Sequence, residues 1–526
     1  MKSNNNNIFK YIFAVVVIGL AIGAVYILYY SKNNNIEEVI EEETQTKNES
    51  EISIVENIKM GISNYDTMNP LLTTNKEIIN ISKLIFEPLV EITEDYHVRA
   101  CLAKSFEKID DRTYQVKIDN SIKWQDGTSF IAKDIQFTIE KIKEERSIYT
   151  SNVECIESVE TPDSETAIIK LNRDVDFIEF YLDFPILSST YYLNEDFKNS
   201  SKIPMGTGMY KIASIDNDNI LLIRNDRWRN LNEATPKTSS ISIHKYNAIG
   251  EMFNTFKLGN IDIINTYMTN YNDYVGTIGY NKKEYRGRSY DFLSFNCDDT
   301  ILTNKAVRRA INYAINKNDI VSSVLGNSKI VTSGPLDYGS YLYNGEGVIT
   351  PNQDEAKKIL QDDGWTYVNN RWQKSINGHV RRLVLNLTVN EGNQERINVA
   401  NSIKKQLADI GIIINVISVT EEKYHEYLQN KNYQVILTGI NNSITPDLSY
   451  FYGDNNIANY NNENIKSKLH SVENFAEIQK IANEDVPYIG LYRNKGILIL
   501  NANMGGEFKP NSYFTYYDFF EWYRQV

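Results

Sequence analysis

A strand–helix–strand pattern late in the chain constrains the fold more than any other feature of the sequence. The apolar run LVLNLTV (383–389) is followed by a helical repeat from Gln394 to Ile410 and then by the apolar run IIINVISV (412–419). Gly411 stands where many helices end, since glycine readily adopts the left-handed conformation required there. Two strands joined by a helix predict a parallel pair with a crossover connection, and therefore an α/β protein.

Other segments extend the α/β pattern. Apolar residues recur at helical spacing between 306 and 315, and YQVILTG (433–439) has the composition of a further buried strand. Earlier in the chain, TYQVKI (113–118) alternates apolar and polar side chains, as a half-buried strand does. Together with AIIKL (167–171) and a helix that begins near Ala132, it predicts a small mixed sheet with a covering helix.

The N-terminal segment predicts the location of the protein. Residues 11–30 form an uncharged, apolar run, and a helix of that length spans the roughly 30 Å hydrocarbon core of a bilayer. Lysines precede the run, so the positive-inside rule places residues 1–10 in the cytoplasm as a short tail and the body outside the cell. A cleavable signal peptide is the competing interpretation, although its apolar region is usually only about 7 to 15 residues long. Residues 31–53 are rich in glutamate and predict an acidic, solvated linker.

Charge and composition exclude several classes of function. The 526 residues carry a formal net charge of -13, which disfavours general affinity for a nucleic-acid backbone. The sequence contains neither HExxH nor CxxC, so it shows no metal-ligand spacing and we expect no cofactor. It also lacks the GxSxG motif of a nucleophilic serine, and we expect no enzymatic activity. Cys101 and Cys155 allow a disulfide, but free buried thiols are an equally good interpretation.

Ten local motifs follow one another along residues 54–526. They are Asn69-Pro70, IFEPLV (85–90), IKWQDGTSFIAKDIQFTI (122–139), GTGMYKI (206–212), RNDRW (224–228), FKLGNIDI (256–263), FLSFNCD (292–298), NKAVRRAINYAINKNDIV (304–321), DEAKKILQDDGW (354–365) and VPYIGLYRN (486–494). In order and spacing they resemble solute-binding protein family 5, the extracytoplasmic oligopeptide- and dipeptide-binding proteins of ABC importers.

The resemblance implies a two-lobed α/β fold of the periplasmic-binding-protein type II, with an extra domain inserted in the first lobe and one transmembrane helix before it. Two crossing strands, near Tyr290–Asn296 and Ile489–Tyr492, would form the hinge, and a ligand would be enclosed when the lobes close. The domains carried onto this chain are lobe 1 (54–90, 204–290 and 490–526), the inserted domain (91–203) and lobe 2 (291–489).

The resemblance also points to a ligand-binding segment. In peptide-binding members, an aspartate after the strand corresponding to YQVILTG pairs with the α-ammonium of the ligand, because a desolvated cation needs an anion. Here the segment reads INNSITPD and contains no acid before Asp447. Asn441, Asn442 and the neighbouring Ser443 are neutral, and an asparagine accepts a hydrogen bond from an ammonium without neutralising it. This departure favours an N-blocked or cyclic peptide or a neutral polar solute, unless a carboxylate elsewhere supplies the anion.

Four further residues are candidates for contact with a ligand. Glu87, in IFEPLV, either supplies the missing anion or is a solvent-facing loop acid. Tyr149 resembles the cleft tyrosine of the family, and Tyr424 falls where peptide binders often carry a cleft tryptophan. Tyr492 lies on the second hinge strand and would reach the ligand backbone. For each tyrosine, ordinary packing is the alternative.

These features lead to two hypotheses about function. In the first, a membrane-anchored monomer captures a peptide or a similar small polar solute outside the cell and delivers it to the permease and ATPase subunits of an ABC importer. In the second, a sensory receptor module uses the same closure without transport. The sequence does not separate them, because both require the same binding fold.

Overall fold

The computed structural model describes residues 54–526 except 64, 269–270, 276–278 and 346. The expected cytoplasmic tail (1–10), membrane anchor (11–30) and acidic linker (31–53) lie outside these residues. Within the part of the chain that is described, no helix is both long enough and apolar enough to cross a membrane. Residues Val55–Arg524 form one compact unit, and the architecture below is that of this unit.

An eleven-stranded sheet runs through this unit. Its two longest strands, Tyr280–Phe295 and Tyr488–Asn501, are antiparallel neighbours, and we call them the long strands. Val435–Asn441 pairs with the first of the long strands, Tyr280–Phe295, and Ile263–Thr266 pairs with the second, Tyr488–Asn501. Strand order from edge to edge is Ile413–Val419, Val384–Asn390, Val435–Asn441, Tyr280–Phe295, Tyr488–Asn501, Ile263–Thr266, Asn57–Ser63, Ser240–Tyr246, Asn219–Arg224 and Tyr210–Ile215, with Lys329–Val331 also paired to Tyr488–Asn501.

The predicted strand–helix–strand unit is confirmed. Val384–Asn390 and Ile413–Val419 pair in parallel, and helix Gln394–Ala408 connects them. The side chain of Asn393 caps the helix by accepting a hydrogen bond from the backbone N–H of Arg396, at 3.0 Å. Gly411 has a φ of +83°, the left-handed conformation expected after the helix.

The small sheet is antiparallel, so the prediction of a mixed sheet was wrong. Its strands, in spatial order, are Ala103–Asp110, Thr113–Ile118, Thr166–Leu171 and Ile156–Glu160, and every neighbouring pair is antiparallel. Short turns join the first two strands and the last two strands, and such connections produce antiparallel pairs. The covering helix is confirmed, since Ala132–Glu145 contacts the strands of this sheet.

Smaller elements complete the fold. Short antiparallel strands are Val90–Ile92 with Val98–Ala100, Thr366–Val368 with Arg371–Ile376 and His379–Arg382, and Met504–Gly505 with Tyr523–Gln525, and a further short strand is Ile54–Val55. The other α-helices are Lys76–Ile85, Thr150–Val153, Ile249–Lys257, Tyr271–Val275, Lys305–Ala314, Lys317–Asp319, Gln353–Asp362, Glu421–Asn430, Ser449–Tyr452, Glu463–Lys466 and Phe475–Asp485. Short 3₁₀ helices are Ile178–Leu182, Val472–Asn474 and Phe519–Glu521, and Ile320–Val324 is a π-helical turn.

The apolar core is divided among several clusters. The largest cluster draws its buried side chains from residues 58–263 and 498–522, and a second large cluster draws them from residues 293–492. A third cluster joins Ile92, Tyr96 and Phe180 to buried side chains between residues 290 and 482. Cys101 and Cys155 are both buried free thiols, so the alternative without a disulfide is correct.

Candidate functional site

A cavity of about 330 Å³ opens where strand Val435–Asn441 ends. We call it the amide cavity, because Asn441 and Asn442 form part of its wall together with Ser443 and Asp447. The structure thus brings together all four residues that the sequence placed in the ligand-binding segment. The rest of the wall is mainly apolar, with four aromatic side chains, Tyr181, Tyr338, Tyr450 and Phe451.

The two asparagines of the amide cavity differ in exposure. Asn441 is exposed, whereas Asn442 is only 8% exposed. The side chain of Asn442 donates from Nδ2 to the carbonyl oxygen of Pro335 at 2.5 Å, and its backbone oxygen accepts a hydrogen bond from Arg288 Nε at 2.8 Å. The Asn442 side chain therefore ties the segment to a neighbouring loop, and Asn441 is the asparagine with a side chain free to reach solvent or a ligand.

Asp447 and Ser443 also have structural partners. Asp447 is exposed, and its Oδ1 accepts a hydrogen bond from the backbone N–H of Ser449 at 2.8 Å, beside the start of helix Ser449–Tyr452. The hydroxyl groups of Ser443 and Thr445 lie 2.8 Å apart. Asp447 is the single carboxylate in the described wall of this cavity, and one of its oxygens is already used by the Ser449 N–H.

Tyr424 and Tyr492 are packed inside the protein, and neither lines the amide cavity. Tyr424 is 3% exposed and donates from its hydroxyl to the carbonyl oxygen of Leu437 at 2.8 Å, while Tyr492 is fully buried. Burial raises the pKa of both hydroxyls. Arg396 interacts electrostatically with both tyrosines and donates from Nε to Asp291 Oδ1 at 2.7 Å. The Lys329 ammonium lies 5.9 Å from the centroid of the Tyr492 ring.

Glu87 and Tyr149 lie in another part of the molecule, on either side of the ion pair between Lys83 and Asp183. Glu87 is 8% exposed, and its Oε1 accepts a hydrogen bond from Arg229 Nε at 2.9 Å. The interpretation of Glu87 as a solvent-facing loop acid is therefore wrong. Tyr149 is half-buried, and burial, with a further contribution from Asp183, raises the pKa of its hydroxyl. Neither residue lines the amide cavity.

Arg493 is a buried cation that the sequence analysis did not single out. Its guanidinium is fully buried, and it donates to the carbonyl oxygens of Asp337 and Pro335 at 2.7 Å each. Burial lowers the pKa of Arg493, while Tyr290 and Asp337 oppose that shift. The guanidinium holds the loop that supplies Pro335 and Tyr338 to the amide cavity. The only signal in the sequence is a single arginine within the apolar run that ends in GILIL.

No group of three or more histidine, cysteine, aspartate or glutamate side chains is arranged to hold a metal ion in the residues that the structure covers. The amide cavity and the cavity that contains Glu87 are bounded by aromatic, amide and charged side chains. Flat aromatic walls with a few polar groups are typical of sites that bind small organic ligands.

The mixed α/β fold and the cavity define a solute-binding protein of the periplasmic-binding class. Similar structures are the unliganded open form of MppA, a periplasmic murein tripeptide binding protein (TM-score 0.76, 16% identity, 90% of this chain and 98% of that chain), and a nickel ABC transporter protein from Bacillus halodurans (TM-score 0.76, 18% identity, 89% and 100%). These likenesses show the fold.

The family follows from the sequence comparison. The model of the family described as bacterial extracellular solute-binding proteins, family 5 Middle, matches residues 97–462, and the chain belongs to this family. The oligopeptide-binding protein AppA of Bacillus subtilis is 25% identical over 475 residues, which cover 83% of this chain and 86% of AppA. The resemblance inferred from the ten motifs is thus confirmed, and the protein is a binding protein, not an enzyme.

Proposed function

We propose that this protein captures a peptide or a related small polar solute in the amide cavity and passes it to the permease and ATPase subunits of an ABC importer. The proposed ligand class is that of AppA, which is named for oligopeptide binding. The observation that carries the proposal is the amide cavity itself, in which neutral polar groups and aromatic rings meet at the carboxyl end of Val435–Asn441, a strand parallel to one neighbour and antiparallel to the other. Ligands in open α/β sheets commonly bind at such strand ends.

The polar groups of the amide cavity favour a ligand without a free α-ammonium. Asn441 and Ser443 are neutral and exposed, and Asn442 is already bonded to Pro335. Glu87 lies in another cavity, which leaves Asp447 as the carboxylate able to pair with an ammonium there. An N-blocked peptide, a cyclic peptide or a neutral polar solute suits these groups best.

Closure around the long strands is part of the proposal. Lobe 1 would comprise residues 54–90, 204–290 and 490–526, with residues 91–203 as the inserted domain and residues 291–489 as lobe 2. The two large apolar clusters support this division, because one draws on residues 293–492 and the other on residues before 264 and after 497. A pair of strands that connects two lobes is a common hinge for closure around a ligand.

Native mass spectrometry of the purified protein tests the ligand class by weighing what copurifies. Calorimetric titration with peptides that carry a free amine, and with the same peptides after acetylation, then tests the chemistry of the site. We expect acetylation to change the affinity little. Tight binding that acetylation abolishes would contradict the neutral site, and Asp447→Asn, whose amide oxygen can still accept from the Ser449 N–H, would show whether Asp447 is the anion.

Anchoring by residues 11–30 belongs to the same proposal, with a monomeric body outside the cell. The supporting observation is the uncharged run of residues 11–30. Peptide mapping of the mature protein should recover residues that precede Tyr30. A mature N-terminus near Ala24 or Asn33 would instead show a cleaved signal peptide and a released protein.

A further inference from the structure

A second cavity, of about 370 Å³, shares no lining residue with the amide cavity. We call it the Glu87 cavity. Its walls come from residues 83–101 and 183, from residues 208–234, and from residues 514–520. None of these lies between residues 291 and 489, so the Glu87 cavity is complete without the proposed lobe 2. A ligand bound there would not need closure around the long strands.

The charged side chains around the Glu87 cavity leave an excess of carboxyl groups. Its three cations already have carboxylate partners, since Arg229 pairs with Glu87 at 2.9 Å, Lys83 pairs with Asp183 at 3.0 Å and Arg99 pairs with Glu91. Glu233 and Asp518 also line the cavity, and no cation of the described wall pairs with either of them.

The nearest compensation for this excess comes from outside the cavity. Lys509 lies 3.7 Å from Asp518, but it is shared with Glu507 at 3.1 Å and Glu94 at 3.6 Å. One lysine among three carboxylates cannot neutralise the cavity. Glu233 is exposed at the mouth. The Glu87 cavity therefore favours a cation over an anion.

Glu87 is a buried carboxylate in the wall of the cavity. Its Oε1 accepts hydrogen bonds from Trp228 Nε1 at 3.1 Å and from Arg229 Nε at 2.9 Å, and its Oε2 is enclosed by the protein. Burial raises the pKa of Glu87, and Arg229, Trp228 and the nearby Thr207 hydroxyl oppose that shift. Glu87 therefore acts on a ligand through its charge, while the exposed Glu233 and the half-buried Asp518 are the carboxylates that an ammonium would contact.

Aromatic rings form much of the remaining wall. Phe86, Trp228, Phe514, Tyr517 and Phe520 line the Glu87 cavity, and Trp228 is 6% exposed. Aromatic faces attract organic cations through the ring quadrupole and also accommodate an apolar body. The volume lies within the usual range for small-molecule sites, which is about 300 to 1,000 Å³.

We propose that the Glu87 cavity is a second binding site, which takes a small organic cation composed of a primary ammonium group and an aromatic or apolar body. The ammonium is placed among the acidic side chains, and the body lies against the aromatic rings. This site is independent of the solute proposed for the amide cavity, because the two cavities have separate walls.

Calorimetric titration of the full-length protein with phenethylammonium tests the proposal. Two ligands of similar shape serve as matched controls, the neutral 2-phenylethanol and the anionic phenylacetate. We expect saturable binding of the amine at one site, with the alcohol at least about tenfold weaker, because a charge-assisted hydrogen bond is lost. Equal affinity for amine and alcohol, or no saturable amine binding at millimolar concentration, would overturn the proposal.

Variants establish which cavity is occupied. Ala234→Trp should abolish amine binding by filling the Glu87 cavity, and Glu233→Gln, at an exposed position where folding is little affected, should weaken it about two- to fivefold. Ser443→Trp fills the amide cavity and should leave amine binding unchanged. If Ser443→Trp abolishes binding while Glu233→Gln does not change it, the amine occupies the amide cavity and the proposal is wrong.

Discussion

The guanidinium of Arg493 lies over the ring of Tyr290, with 4.7 Å between the guanidinium carbon and the ring centroid. The two residues are also direct register partners in the long strands. Arg493 therefore connects three elements of the fold: the two long strands, and the loop whose carbonyl oxygens accept its hydrogen bonds. The amide cavity depends on this contact, since the same loop supplies Pro335 and Tyr338 to its wall.

We expect Arg493→Lys to destabilise the protein by about 3 kcal/mol. A lysine ammonium is compact and cannot reproduce the planar guanidinium, which donates to Asp337 and Pro335 at the same time. At least one charge-assisted hydrogen bond is therefore lost. Urea unfolding measures the change in the free energy of unfolding. Arg381→Lys, at an exposed strand position, is the matched control and should stay within about 0.5 kcal/mol of the natural protein. An equally small effect of Arg493→Lys would contradict the role given to Arg493.

Asn441→Asp should convert the amide cavity into a site for free-amine peptides. The new carboxylate would stand at an exposed position in the wall and would pair with a ligand ammonium, a contact worth roughly 1.5 to 3 kcal/mol. We therefore expect the affinity for free-amine peptides to rise by about ten- to a hundredfold, with no gain for acetylated peptides. Calorimetry measures both. Asn430→Asp, at an exposed helix position, should change neither affinity, and a similar gain in that variant would reveal a long-range charge effect.

Asp66 should make the stability of the protein depend on pH in the acid range. Partial burial raises the pKa of Asp66, but hydrogen bonds from Thr73, Thr74 and Thr67 outweigh burial and lower the pKa to about 2. A carboxyl group whose pKa is depressed on folding stabilises the protein above its unfolded pKa, near 4, and loses that contribution as the pH falls towards 2.

Asp66→Asn is expected to cost about 1 kcal/mol at pH 7, the ordinary contribution of a hydrogen bond. The difference from the natural protein should shrink as the pH falls from about 4 to 3, because protonation removes the advantage of the aspartate. Urea unfolding at several pH values measures this difference in the free energy of unfolding. Asp362→Asn, at an exposed position on a helix end, is the control. A difference that stays constant down to pH 3 would show that Asp66 is not responsible.

Ligand binding should reduce the radius of gyration measured by small-angle scattering. Contacts already join residues 91–203 to residues 291–489 outside the long strands, and in one of them the ring of His97 stacks on Tyr341 at 3.6 Å. If the lobes close across this contact, Tyr341→Ala should lower the affinity for the captured solute by about two- to tenfold, since an aromatic pair contributes roughly 0.5 to 1.5 kcal/mol. Leu193→Ala, at an exposed position, is the control. An unchanged radius of gyration at saturating ligand would count against closure.

Local patterns determined much of the fold in advance. The strand–helix–strand unit, the strand Thr113–Ile118 and the helix after Ala132 were all predictable, because hydrophobic period, capping residues and glycine positions act over a few neighbouring residues. The family was also predictable, since its motifs are short and retain their order. The parallel or antiparallel arrangement of the small sheet was not, because it depends on which strands meet after the chain has folded back.

The roles of single side chains were decided by the tertiary structure. In the sequence Glu87 is either a ligand-binding anion or a loop acid, but Arg229, 142 residues later, pairs with it in the wall of a second cavity. Asn441 and Asn442 are neighbours with the same side chain, yet only Asn442 is held by Pro335, 107 residues earlier. Local sequence sets which way a chain bends and which face is apolar. Partners that are distant in sequence decide which polar groups are buried and satisfied, and which remain free to bind a ligand.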